Sequence, residues 1–361
     1  MKVLVIAGRS AGGVAKHLHQ VCELLIGEGV QVTLAQPAEN PPSCAAGVTA
    51  VPLAIGSRPG LHDRATSAGI RELARGADVL HAHGLRAGAL AALALRKIAE
   101  GARPRLIVTL HNEIPRAGSA RLIGNYLLAA ICKTAEVVLG VSPDLVELAR
   151  SRGARDVRLA LIPAEKASAS SRSREEVRVE LQVTTPLCLL TVARLAPQKG
   201  LELLVGAARQ LDPAGATWLV AGDGPLRAGL EQKAQGTCVR FLGARSDVGD
   251  LLQAADIVVS TSLWEGQSVF LQEALQAGSA LVATAVGGTP EVTGEAALLV
   301  QPAADDIAQA VGALAADAEM RAELREAALR RATELPTREA MLAQLWDVYG
   351  GADEGIVSQK T

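Results

Sequence analysis

Short β-rich runs alternate with helical patterns twice over, and this double alternation leaves few architectures open to the chain. In the first half, apolar runs at 2–7, 31–36, 48–55, 78–83, 105–111, 136–142 and 158–163 read as strands. In the second half, runs at 187–194, 217–221, 239–243, 256–262, 280–286 and 297–301 read the same way. Helical patterns fill most of the gaps. Residues 13–27 set Val14, Leu18, Val21 and Leu25 on one face, with Lys16, Gln20 and Glu23 on the other. Strands joined through helices form parallel sheets, so two doubly wound α/β units are expected. Between them, residues 164–185 are polar and rich in Ser, Arg and Glu, a linker leading into a short helix. After residue 303 the pattern is helical only. Pro336 breaks it, a last helix spans 337–349 with Met341, Leu342, Leu345, Trp346 and Val348, and 350–361 reads as a tail.

A chain of 361 residues is long enough for two such cores. Only three Trp, two Tyr and two Phe are present, so the cores must be packed from Ala, Val and Leu, which suits parallel sheets under Ala-rich helices. Five scattered cysteines with no CxxC pair read as reduced, mostly buried thiols, as in a cytoplasmic protein. The opening MKVLVIAG is too short for a signal peptide and reads as a first strand. No stretch of 18 apolar residues occurs, so no membrane span is expected. Charge is split between the halves: residues 1–165 carry 19 basic and 13 acidic side chains, and the remainder 17 and 25. The mildly basic first half suits an anionic acceptor or the inner face of a membrane, though an ordinary solvated face has the same look. A helix from Ala117 to Ala135, with Arg116, Arg121 and Lys133 around Leu122, Ile123 and Tyr126, is either a core-facing helix or a peripheral membrane contact. No nucleic-acid partner is expected.

The most informative chemistry lies between Trp264 and Glu291. Glu265 falls in a polar turn, and Glu273 in a short helix from about Ser268 to Gly278. Phe270, Leu271, Ala274 and Leu275 form that helix's core face, while Gln272 and Gln276 form its polar strip. Glu273 sits past the edge of this strip, partly desolvated, and so requires a donor or a cation. The bare N–H groups at the helix start, around Gly266, Gln267, Ser268 and Val269, make an anion site. Arg194 and Lys199 flank a turn at the carboxyl end of a strand, where two cations clamp a diphosphate; alone, such a pair is also a common surface feature. Gly222-Asp223-Gly224-Pro225 reads as a strand-to-helix connection capped by Asp223, with its glycines available to a cleft. Leu242 and Gly243 end the next strand and offer backbone groups to a base.

In the first half, Gly12 and Gly13 open a helix after strand one. They form a ligand loop or a plain tight turn, but the spacing is not GxGxxG and strand two lacks a ribose-binding acid. His111 ends a strand, placed to meet a bound sugar or to bond within its loop. His81 and His83 share one face of their strand, yet no third ligand is evident, so no metal site is expected.

Taken in order, TLH, VARLAPQKG, VAGDGP, FLGARSDVGDLLQAADIVVSTS and the Glu265-x7-Glu273 segment ending in AVGGTPE carry a resemblance along essentially the whole chain. The chain resembles the retaining, metal-independent glycosyltransferases of family 4. The resemblance implies the GT-B fold of two facing Rossmann-like domains: 1–165 on the acceptor side, 166–335 binding the nucleotide sugar, and 336–349 crossing back to the first. It implies that Glu273 binds the donor ribose and Glu265 the transferred hexose. Arg194 and Lys199 would neutralise the leaving diphosphate, and residues 266–269 would offer backbone groups to sugar and phosphate. His111 would contact the sugar near the reacting carbon, and Gly12-Gly13 would close over phosphate or acceptor. Two departures stand out: Gly266-Gln267-Ser268 replaces a Phe-Gly turn common among relatives, and Ala193 replaces a glycine. No cofactor is expected beyond the donor itself, a UDP- or GDP-linked sugar; the acceptor is left open. Domain closure would assemble the cleft and exclude water. A nucleotide-sugar epimerase and a catalytically silent sugar-nucleotide-binding protein remain as alternatives.

Overall fold

The computed structural model describes residues 1–10, 12–40, 46–56, 58–112, 114, 118–165, 172–212 and 214–350. The expected tail from 351 onward, Cys44 and Arg116 lie outside these. The chain divides into two compact units, Met1–Ile162 together with the segment from Pro336, and Pro163–Leu335.

The first unit holds seven strands: β1 (Lys2–Ala7), β2 (Gln31–Gln36), β3 (Thr49–Pro52), β4 (Val79–His83), β5 (Arg105–Leu110), β6 (Val137–Gly140) and β7 (Val157–Leu159). Helices α1 (Gly13–Gly27), α2 (Asp63–Ala74), α3 (Leu85–Leu95), α4 (Gly118–Thr134) and α5 (Pro143–Ser151) connect them. The sheet order is β3-β2-β1-β4-β5-β6-β7, with every pairing parallel. The order reverses between β1 and β4, where Ala7 pairs with His83. At such a reversal the two connecting segments diverge and leave a crevice at the strands' carboxyl ends.

The second unit contains α6 (Arg174–Glu180), β8 (Leu187–Val192), α7 (Leu201–Ala208), β9 (Ala216–Ala221), α8 (Arg227–Lys233), β10 (Val239–Gly243) and α9 (Val248–Ala254). It continues through β11 (Ile257–Ser260), α10 (Val269–Gln276), β12 (Ala280–Thr284), α11 (Thr289–Thr293), β13 (Leu298–Val300), α12 (Ala304–Ala316) and α13 (Ala318–Ala332). Its parallel sheet runs β10-β9-β8-β11-β12-β13, with the reversal between β8 and β11. Both faces of this sheet are covered. Leu189, Trp218, Ile257, Val259 and Val282 enter one core and Leu190, Leu219, Val258 and Leu281 the other, as the two-residue strand period dictates. Trp218 is the one large aromatic fully buried here; its indole N–H is satisfied by Thr191 Oγ1 at 3.1 Å.

The last helix, α14 (Arg338–Tyr349), belongs to the first unit. It buries Met341, Leu345, Val348 and Tyr349, and Gln344 bridges it to the end of β7 by accepting from Leu161 N (2.9 Å) and donating to Leu159 O (2.8 Å).

The wheel reading of two glutamines is corrected. Gln20 and Gln272 are 6% and 1% exposed, because other segments cover the faces that the local period assigns to solvent. Gln272 Oε1 accepts from Ala164 N at 3.1 Å, so it ties down the chain entering the second unit. Asp223 does not cap a helix either. It accepts from Gly224 N at 2.7 Å, and α8 begins later, after Leu226 without a side-chain cap.

Asp256 organises the entry to β11. It accepts from Cys188 N at 2.8 Å and pairs with Arg174 and Arg178, and its side chain is only 12% exposed. Burial pushes its carboxyl up, but the Cys188 N–H and the two guanidinium groups outweigh this and hold it below the usual carboxylate range. A depressed carboxyl contributes stability above its unfolded value that is lost as pH falls through the folded one. Asp256→Asn is therefore expected to cost on the order of 3 kcal/mol at neutral pH, because two arginines lose their charge partner. Urea unfolding at pH 7 and at pH 3 measures this, and the gap between variant and parent should narrow at pH 3.

Candidate active site

In the second unit the site is built on the loops after β8 and β11, the two strands that flank the reversal. The loop after β8 is fastened to the loop after β9: Ala193 N donates to Ala221 O and Leu195 N to Asp223 O, both at 2.9 Å. Gly222 makes this approach feasible. Its φ is +140°, and a Cβ there would lie 1.9 Å from the Ala193 carbonyl oxygen. Gly222 N in turn donates to Gly243 O at 2.7 Å, so Gly222, Leu242 and Gly243 join the same rim. Arg194 stands on this rim, exposed, and among the described residues it makes no ion pair.

Lys199 and Glu265 are brought together. Lys199 Nζ pairs with Glu265 Oε1, which also accepts from Ser262 Oγ at 2.6 Å. Glu265 is 6% exposed, so this carboxylate is held ionised by two donors in a nearly dry position. The loops carrying the pair are cross-linked by Leu263 N to Gln198 O (2.8 Å), Thr261 Oγ1 to Lys199 O (3.0 Å) and Gln198 Nε2 to Trp264 O (3.0 Å). Behind Glu265, Gly288 N donates to its carbonyl at 2.9 Å. Gly287 adopts φ +52°, and any Cβ there would meet that same oxygen at 2.0 Å. A cavity of about 20 Å³ lies among Lys199, Glu265, Ser268, Phe270 and the ends of β8 and β11.

Gly266 and Gln267 form the half-buried turn that leads into α10. Ser268 caps the helix by accepting from Leu271 N at 3.4 Å, and Val269 is its first residue. The helix thus starts where the sequence placed it, with the turn's backbone at its positive end. Glu273 lies half-buried one turn along, on the same helix that buries Leu271, Ala274 and Leu275. Ser262 is the site residue the sequence did not disclose; a serine three positions before a glutamate has no periodicity or motif to mark it.

The remaining expected residues lie in the first unit. Gly12, with φ +59°, is the N-cap of α1, and Gly13 is its first residue; both are exposed. Asn40 secures this loop by donating to Gly8 O (2.9 Å) and accepting from Ser10 N (3.2 Å). His111 follows β5 and is 6% exposed. It is not an isolated loop histidine: its Nε2 lies 3.0 Å from His83 Nδ1. His81, on the same strand face as His83, is instead held between Tyr349 Oη and Thr109 Oγ1, each at 2.7 Å. On α4, Leu128 and Ile131 are buried, whereas Leu122 and Tyr126 are 72% and 77% exposed. A groove of about 1050 Å³ between α3 and α4 includes Leu93, Leu122, Ile123 and Tyr126 with Arg96 and Lys133. No helix among the described residues is long and apolar enough to cross a membrane.

Comparison with known proteins agrees with this architecture. Residues 11–164 match the family model Glycosyltransferase Family 4, and residues 186–317 the model Glycosyl transferases group 1. TuaC of Bacillus subtilis (strain 168), provisionally assigned as a teichuronic acid biosynthesis glycosyltransferase, is 29% identical over 246 residues, 65% of this chain and 60% of TuaC. The N-acetyl-alpha-D-glucosaminyl L-malate synthase of Bacillus anthracis is 26% identical over 226 residues, 60% of this chain and 58% of that enzyme. The matched stretch thus spans less than two thirds of these relatives. The crystal structure of Anabaena HepE in complex with UDP and glucose superposes with a TM-score of 0.82 at 20% identity, covering 97% of this chain and 99% of HepE. Two consecutive family models, laid over two parallel-sheet Rossmann-like units, place this chain among the family 4 glycosyltransferases of GT-B fold.

Proposed function

We propose that the protein transfers a hexosyl group from a nucleoside-diphosphate sugar to an acceptor hydroxyl with retention of anomeric configuration and without a metal ion. The observation that carries this reading is the charge arrangement at the β8/β11 reversal: a buried Lys199–Glu265 pair on the loops that also present an exposed Arg194 and the capped start of α10. Such a site offers two cations and helix-end N–H groups to a diphosphate, and carboxylates to sugar hydroxyls. Glu273 is assigned to the ribose, Glu265 to the hexose, and residues 266–269 to backbone contacts. Gly222, Leu242 and Gly243 are assigned to the nucleotide rim. His111 and Gly12-Gly13 are assigned to the sugar and acceptor side on the resemblance alone.

In the proposed reaction the bond from the anomeric carbon to the diphosphate oxygen breaks while the acceptor oxygen bonds from the same face. The departing diphosphate takes the acceptor proton. Arg194 and Lys199 act on the charge that grows on the leaving oxygen. HepE was crystallised with UDP and glucose, which favours a UDP-linked donor over a GDP-linked one. The acceptor's class is open. Exposed Leu122, Ile123 and Tyr126 on α4, with Arg121 and Lys133, favour peripheral contact with a membrane surface.

A thermal-shift screen of UDP-, GDP- and ADP-sugars, followed by transfer assays with the best donor over lipid-linked, oligosaccharide and small-metabolite acceptors, tests the proposal. Transfer in EDTA, with the product's anomeric configuration read by NMR and matching the donor's, is expected. Donor binding without transfer would favour a silent binding protein, sugar interconversion without acceptor an epimerase, and an inverted product would refute retention.

A further inference from the structure

Three imidazoles from distant parts of the sequence converge at the carboxyl end of the first unit's sheet. His17 comes from the second turn of α1, His83 is the last residue of β4, and His111 follows β5. One ring nitrogen from each lies within 4.8 Å of the other two, and the ring centroids are 5.3 to 5.5 Å apart. All three residues are buried. His83 Nδ1 and His111 Nε2 face each other at 3.0 Å, while His17 Nδ1 and His83 Nε2 are buried with no hydrogen-bond partner. Buried polar nitrogens left unpaired are costly, and natural structures keep them where something else occupies the site.

We propose that His17, His83 and His111 form a binding site for a divalent transition-metal ion of the zinc type. Neutral imidazole is the ligating form, and burial supplies it: desolvation holds His17 down to about 4 and His83 and His111 well below their ordinary value. Metal–nitrogen bonds of about 2.0–2.1 Å in a tetrahedron set ligand nitrogens roughly 3.3 Å apart. The His83–His111 pair already has nearly that spacing, and the third nitrogen closes in through a shift of about an ångström or two. Coordination uses the lone-pair nitrogens, so only a change of tautomer is required and no proton is released. His81 is a scaffold, not a ligand. Its two ring nitrogens are taken by Tyr349 and Thr109, and its ring lies 4.2 Å from that of His83, which it holds in place. Three protein ligands leave a fourth position for water or an oxygen of a ligand. That position faces the crevice where β1 and β4 part, on the unit that does not carry Arg194, Lys199, Glu265 and Glu273.

The experiment is a titration of the full-length chain, stripped with EDTA and dialysed, with CoCl2 and then ZnCl2. One Co²⁺ per chain with the intense visible d–d bands of a four-coordinate ion is expected, bleached when Zn²⁺ displaces it. His17→Gln and His83→Gln should weaken binding by about 100-fold or more, beyond the effect of removing outer-shell partners, whereas exposed His62→Gln should not change it. Should the buried variants fail to fold, histidine ring NMR of the wild type decides: Zn²⁺ must shift three ring systems and leave His19 and His62 unmoved. Absence of stoichiometric Co²⁺ binding, six-coordinate spectra only, or equal loss in His62→Gln would overturn the site. Transfer activity is not measured here, so failure of the metal site and failure of the glycosyl-transfer reading are separate results.

Discussion

Arg194→Ala is expected to lower turnover by about 10²–10³, with a smaller change in the Michaelis constant for the donor. The reasoning begins with exposure. Arg194 makes no ion pair among the described residues, so its removal leaves no buried charge behind and the fold should be indifferent. Its guanidinium acts when negative charge builds on the leaving diphosphate, which places its contribution in the transition state and not in donor binding. Lysine at this position should recover only part of the rate, because a point charge does not reproduce a two-pronged contact with phosphate oxygens. Steady-state release of the nucleoside diphosphate, with the donor varied at saturating acceptor, measures both constants. Unchanged turnover in Arg194→Ala, with an intact melting temperature, would remove the residue from the mechanism.

Lys199→Met should behave differently, with damage to the fold as well as to the rate. Glu265 is 6% exposed, and Lys199 and Ser262 both donate to its Oε1. Without the lysine, a buried carboxylate retains one neutral donor, and breaking such a pair from one side costs about 3–5 kcal/mol. Glu265→Gln in the same chain removes the uncompensated charge, so the double variant is expected to recover most of that stability while remaining without activity. Urea unfolding of the four proteins of this cycle gives the coupling directly. Additive losses would mean that the pair is not coupled in the folded protein. Recovered activity in the double variant would mean that the charges serve the fold alone.

Most of the architecture was legible because strand and helix periods are local. Each of the thirteen strands lies within or beside an expected run, yet several runs are longer than the strands they contain. The run 256–262 shortens to Ile257–Ser260, and 48–55 to Thr49–Pro52. Apolar sequence continues past the last ladder bond into segments that turn away, so hydrophobicity alone does not reveal where pairing ends. The donor-side residues were legible for a related reason: Arg194, Lys199, Glu265 and the α10 turn belong to short contiguous segments at strand ends. Gln20 and Gln272 were misread because a helical wheel knows only one helix, and both faces are covered by other segments.

The amino-acid order by itself determined the alternation of elements, the break between two units, the start of α10 at Ser268, and the residue types offered at each strand end. These follow from backbone periodicity, capping and turn chemistry, which act over a few residues. The tertiary structure alone decided the strand order with its reversals at β1/β4 and β8/β11 and the pairing of Lys199 with Glu265 across 66 positions. It also decided the meeting of His17, His83 and His111. Contacts of that kind depend on which elements pack side by side, a choice made by the burial of whole faces and not by any local pattern.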